Sequence, residues 1–149
     1  MDIGVPVTDF INQHNLNIRK VRGDGHCLLY AWAKGTDVSI REVKQQSIVE
    51  FNVNQDNYIQ AGIQLQELQR YIQDRTYTLN LVDAVLEMLT NAFHKTAFII
   101  GQKYYYTDAR NIVAAPGVTE IRRIQHFHCQ TFDSRVLLLK SGDHYDGLR

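Results

Sequence analysis

The sequence predicts an α+β fold in which helices pack on a small, mostly antiparallel sheet. Three observations carry that expectation. As far as residue 93, apolar residues recur at helical spacing. From residue 96 onward they give way to short runs rich in β-branched and aromatic residues. Neither half contains a repeat, a low-complexity tract or a Pro/Gly/Ser linker, and the chain holds only 2 prolines, Pro6 and Pro116. Its 149 residues are therefore expected to form one domain spanning residues 1–149.

The elements follow in order. Residues 8–15 suit a short helix, with Thr8 as cap and Phe10 and Ile11 on its apolar side, and residues 16–22 read as extended. Gly23 and Gly25 flank Asp24 and break the pattern. Behind them Leu28, Leu29, Tyr30, Ala31, Trp32 and Ala33 are apolar on all sides, which predicts a short buried helix ending at Gly35. Ser39 and Glu42 have capping-box spacing at the head of a helix running to about residue 52. Residues 61–73 place Leu65, Leu68 and Ile72 on one helical face. Residues 81–93, started by Asn80 with Asp83 three positions on, place Val82, Val85, Leu86, Leu89 and Phe93 on another. Strands are expected over residues 96–100, 103–107, 121–127 and 135–139.

The sharpest local feature is GDGHCLLYAW, residues 23–32, which sets Cys27 between a glycine-containing loop and the start of a buried helix. Helix-start amides favour thiolate over thiol and so make the sulfur a nucleophile. Backbone N–H groups over residues 24–27 (Asp24, Gly25, His26 and Cys27) are placed to hold an oxyanion, and the small Gly25 lets the backbone approach a substrate carbonyl. A thiolate needs an imidazole partner, and SGDHYDGL, residues 141–148, offers His144. Asp146 lies two residues on, where an extended chain returns side chains to the same face, so its carboxylate can orient the ring. Taken singly, Cys27 reads as a small buried hydrophobe, His144 as a surface residue and Asp146 as a turn residue; the joint pattern favours a triad.

An Asp-Gly-x-Cys-Leu segment opening a buried helix, followed 117 positions after the cysteine by His-Tyr-Asp-x-Leu, resembles the ovarian-tumour (OTU) family of cysteine deubiquitinases. The resemblance spans nearly the whole chain and implies a papain-like OTU fold. It implies Cys27 as nucleophile, His144 as general base and then acid, Asp146 as its orienter and Asp24 as support for the oxyanion loop. The implied reaction is hydrolysis of the isopeptide bond after the Gly-Gly tail of ubiquitin, through a thioester and without cofactor. Ubiquitin or polyubiquitin, or a ubiquitin-like modifier, is the implied partner. Three positions depart from the family's common pattern: His26 before the nucleophile, Leu29 two residues after it, and Asp143 before the histidine. The helices between Ser39 and Gln73 are expected to form part of the substrate-facing arm. Two alternatives stand beside this reading. One is a catalytically silent OTU-like module that binds ubiquitin. The other is a cysteine protease cutting ordinary peptide bonds such as polyprotein junctions, raised by a chain that stops five residues after His144.

Other classes are disfavoured. With 16 basic against 16 acidic side chains, no global field favours nucleic acid or a membrane. No run approaches the roughly 20 apolar residues of a membrane span, and the first ten residues lack a signal-peptide pattern, so a cytoplasmic monomer is expected. Cys27 and Cys129 read as thiols, the latter in the core. His126, His128 and Cys129, with His26, form a conceivable zinc set. Strand alternation, however, splits His128 from Cys129 and no second ligand pair is visible, so no metal is expected. Tyr104, Tyr105 and Tyr106 have only Lys103 and Arg110 nearby and read as a strand rather than a base-stacking platform, and the pair Arg122 and Arg123 is equally thin. Arg41, Arg70 and Arg75 read as solvated helix-face charges, and Trp32 as core.

Overall fold

A computed structural model describes residues 2–23, 26–73, 81–106, 112–124 and 134–149. Among these residues six helices and six strands occur in the order β1 (Asp2–Ile3), α1 (Val7–Gln13), β2 (Ile18–Arg19), α2 (Cys27–Thr36), α3 (Ile40–Val53), α4 (Gln55–Gln60), α5 (Leu65–Gln73), α6 (Val82–Phe93), β3 (Thr96–Tyr106), β4 (Ile112–Ile124), β5 (Arg135–Ser141) and β6 (His144–Leu148). The strands form one sheet in the order β1-β4-β3-β5-β6-β2. Every pairing is antiparallel except β3 with β5. The α+β class holds, as does the mostly antiparallel sheet.

Alternation along the central strands sends apolar residues to both faces. Ala97, Ile99, Val136 and Leu138 face a large cluster built on α2 and α6, where Leu28, Leu29, Trp32, Val85, Leu86 and Leu89 are fully buried. Ile100, Leu139 and Leu148 point the other way and meet Phe10 and Ile11 of α1. The sheet is thus covered on both faces, and α2 is the helix laid against β6.

Several boundaries differ from the sequence reading, each for a physical reason. Helix α1 begins at Val7, before Thr8, because Pro6 at the cap position already supplies the extended entry and no side chain caps the turn. Helix α2 does not stop at Gly35. It runs to Thr36 and ends at Asp37, whose φ of 58° is left-handed. Gly35 is there for packing: a Cβ would lie 3.1 Å from Val136 Cγ2 and 3.3 Å from the Leu137 carbonyl oxygen. Ser39 caps α3 as expected, accepting the Glu42 N–H at 3.1 Å. The predicted helix over residues 61–73 starts only at Leu65, because Gly62 turns the chain at φ 93° after a short helix, α4, that the reading missed. The two strands expected over residues 96–107 are one, β3, with an irregularity between Gln102 and Tyr104. Strand β4 starts nine residues earlier than expected, at Ile112. Asn80, Thr107 and residues 125–127 lie outside the described residues.

Candidate active site

The β5–β6 hairpin carries the candidate base, His144. Gly142 adopts φ 61°, which closes the connection in two residues with Ser141 opposite His144. His144 is therefore the first residue of β6, and Asp146 follows on the same face of the strand. Asp146 Oδ1 accepts two hydrogen bonds, from His144 Nε2 at 2.9 Å and from the Val21 main-chain N–H at 2.8 Å. An ionised carboxylate only accepts, so Nε2 must carry the proton that points at it, and the lone pair of the neutral ring resides on Nδ1. Nδ1 faces Gly23, where a Cβ would stand 3.6 Å away. The pair is half-shielded, with the His144 side chain 31% exposed and that of Asp146 13%.

Helix α2 carries the candidate nucleophile. Cys27 is its first residue and is 4% exposed. Its thiol donates to the main-chain carbonyl of Asp143 at 3.7 Å, the residue immediately before His144. The thiol thus reaches the turn that starts the base-bearing strand, 116 residues away in sequence. What allows α2 so close to β6 is Gly147. A Cβ there would fall 2.8 Å from the Gly35 nitrogen and 3.0 Å from the Ala31 carbonyl oxygen, so no side chain fits.

His26, the helix-cap residue before Cys27, turns away from this pair. Its side chain is fully buried and its Nε2 donates to the main-chain carbonyl of Tyr71 on α5, with the Tyr30 and Tyr71 rings tilted beside it. Asp24 and Gly25, the other members of the expected oxyanion loop, lie outside the described residues, as do His126, His128 and Cys129. Among the described residues no group of three or more His, Cys, Asp or Glu is arranged to hold a metal. No described helix is long and apolar enough to cross a membrane. Arg122 pairs with Asp83 at 2.7 Å, and Trp32 is core.

The structure therefore brings Cys27, His144 and Asp146 to one end of the α2–β6 contact and sends the His26 side chain elsewhere. It also adds residues that sequence reasoning missed: Val21 through its N–H, Asp143 and Tyr71 through their carbonyls, and Gly147 through its missing side chain. Main-chain roles leave no residue-type signal. Gly147 alone had one, as a glycine inside a strand next to the proposed orienter.

No family model and no curated protein matches the sequence. Solved structures do match. The OTU domain of OTUD1 superposes with a TM-score of 0.65 at 14% identity, covering 95% of this chain and 90% of that one. The fold is that of an OTU domain. Hazara virus OTU, solved bound to ubiquitin, gives 0.57 at 22% identity over 90% of this chain and 80% of its own. An OTU deubiquitinase from Wolbachia pipientis wMel bound to ubiquitin gives 0.58 at 13% identity, over 91% and 96%. The OTU fold is thus shared at identities too low to carry residue roles, and those rest on the geometry above.

Proposed function

We propose that this chain is a cysteine isopeptidase of the OTU family that hydrolyses the bond after the C-terminal Gly-Gly of ubiquitin. The observation that carries the reading is the Asp146-oriented His144, whose Nδ1 faces Gly23, together with the Cys27 thiol's contact at the carbonyl of Asp143, the residue just before it. The ubiquitin-bound OTU neighbours supply the substrate class.

In this mechanism His144 Nδ1 takes the thiol proton and the Cys27 sulfur attacks the carbonyl carbon of the terminal glycine. Main-chain N–H groups at residues 24–27 bind the resulting oxyanion. Collapse expels the lysine amine, which takes the proton from Nδ1, and leaves a thioester. Water then loses a proton to Nδ1, attacks the thioester, and restores the thiol with a free carboxylate. Asp146 holds the ring in the required tautomer throughout and is not consumed. No step needs a cofactor. The reading implies one catalytic domain working as a monomer in the cytoplasm.

A second reading, a silent module that binds ubiquitin without cutting it, draws on one observation: Cys27 is almost fully covered and its thiol is engaged by the Asp143 carbonyl. Incubation with ubiquitin carrying a thiol-reactive C-terminal warhead, followed by intact mass, separates the two. The isopeptidase gives a single adduct in the wild type and none in Cys27→Ala. A folded wild type that stays unmodified overturns it, and capture of unmodified ubiquitin would then establish the silent module.

A further inference from the structure

Away from the catalytic pair, a groove of about 570 Å³ runs between strand β2, the last turns of α2 and the start of α3. Its charged lining is mostly basic. Arg19, Lys20, Lys34 and Arg149 stand along it, against Asp37 as the acidic residue. Asp37 pairs with Arg149 at 3.6 Å, which leaves the other three cations unneutralised by any described ion pair. In a chain whose 16 basic and 16 acidic side chains balance overall, this is a local excess of positive charge. The floor is apolar, from Ala33 and Val38, and Ile18 beside it is 42% exposed, large for a β-branched aliphatic residue.

The backbone of the wall adds direction. Strand β2 is the outermost strand of the sheet on that side, and no described strand pairs with its outer edge. Asn17 and Arg149 exchange both main-chain hydrogen bonds, at 2.6 and 3.0 Å, and Ile18 stands opposite Leu148. In an antiparallel ladder the residue next to such a doubly bonded pair turns its N–H and C=O the other way, so those of Ile18 point out from the sheet. An edge whose backbone groups and three cations have no strand or ion-pair partner among the described residues, beside an exposed isoleucine, matches an extended acidic chain carrying apolar residues at alternate positions.

We propose that this groove is a docking site for an acidic, extended protein segment that adds to β2 as a further strand. Main-chain pairing with Ile18 gives the segment its direction, the apolar floor takes its alternate side chains, and Arg19, Lys20 and Lys34 select carboxylates. The site is separate from the catalytic pair and does not depend on the isopeptidase reading. The two are neighbours all the same: Val21, directly after Lys20, holds Asp146.

The test is fluorescence anisotropy on the full chain, with a labelled short peptide alternating glutamate and valine as the probe. Saturable binding is expected, weakened about tenfold or more by the double charge reversal Arg19→Glu with Lys34→Glu. The milder Lys34→Ala is expected to weaken it less, and circular dichroism checks that each variant is folded. Methylating the peptide nitrogens at alternate positions is expected to abolish binding in one register only, as strand addition requires. Equal binding of a lysine–valine peptide, or indifference to Lys34→Ala and the double reversal, overturns the proposal. Tighter binding of a short oligothymidylate or of anionic lipid vesicles, lost in the same variants, would overturn it in favour of a phosphate ligand.

Discussion

Strand β6 and the first turn of α2 each supply one half of the candidate site, and they are held in different ways. His144 and Asp146 sit on a strand bonded to β5 on one side and β2 on the other, two residues apart and locked to each other at 2.9 Å. Their geometry is short-range and follows from the two-residue period of a strand. Cys27 has no such frame. It is placed by a helix whose distance from β6 is set by Gly147 and Gly35, and its neighbour His26 is pinned to the Tyr71 carbonyl of α5. The candidate base is oriented mainly by a partner two residues along its own strand, whereas the candidate nucleophile is positioned by packing between elements far apart in sequence. Damage to the first should therefore cost chemistry at constant stability, and damage to the second should cost both.

Removing the nucleophile is the largest expected effect. Cys27→Ala should leave less than about one per cent of wild-type turnover on a ubiquitin–lysine isopeptide, with ubiquitin binding retained. Residual activity above that level would remove Cys27 from its role. Asp146→Asn comes next. It keeps an oxygen for Val21 but removes the charge that sets the His144 tautomer. The expected outcome is a fall in kcat of about a hundredfold to ten-thousandfold, with the urea midpoint close to wild type. A matching loss of stability would show that Asp146 holds the fold instead, and the contrast between the two halves would disappear.

Gly147→Ala attacks the contact that joins the halves. Its Cβ would stand 2.8 Å from main-chain nitrogen, which cannot rotate aside, so α2 must lift. The expected cost is about 1–3 kcal/mol by urea denaturation, accompanied by slower reaction of Cys27 with the ubiquitin warhead. An unchanged warhead rate in a destabilised protein would mean that the α2–β6 distance does not set reactivity.

The smallest effect is expected away from the site, where Tyr58 of α4 joins α3 to α6. Its hydroxyl donates to Glu50 Oε1 at 2.9 Å and accepts from Asn91 Nδ2 at 2.6 Å. Burial pushes this phenol well above its ordinary range. The bonded neutral form therefore contributes its stability below the unfolded phenol pKa of about 10 and loses it as pH rises beyond that. Tyr58→Phe strands a buried amide and should cost about 1–2 kcal/mol at neutral pH while leaving the warhead rate unchanged.

What was legible in the sequence follows the same division. The His144–Asp146 pair, the capped start of α3 and the all-round apolar character of α2 are patterns within a few residues, and each was readable. Gly35 was misread as a helix stop because its reason is Val136, about a hundred positions away. Helix α4 was missed because its six residues hold a single buried side chain, Tyr58, too little for a periodicity to register. The side-chain direction of His26 depended on a carbonyl in α5, and carbonyls belong to every residue. Local order in this chain is written in residue types, while the approach of α2 to β6 is written in the absence of side chains.

The thiol's contact with the Asp143 carbonyl, 116 residues downstream, has a consequence for the way this protein is made. A ribosome adding about 5–20 residues per second finishes the Cys27 helix on the order of ten seconds before it reaches the β5–β6 hairpin. Throughout that interval the cysteine has neither its imidazole nor the strand that α2 rests on. On the proposed reading, Cys27 therefore has no base until the β5–β6 hairpin has been made, and a nascent chain shorter than that cannot cut the conjugates around it.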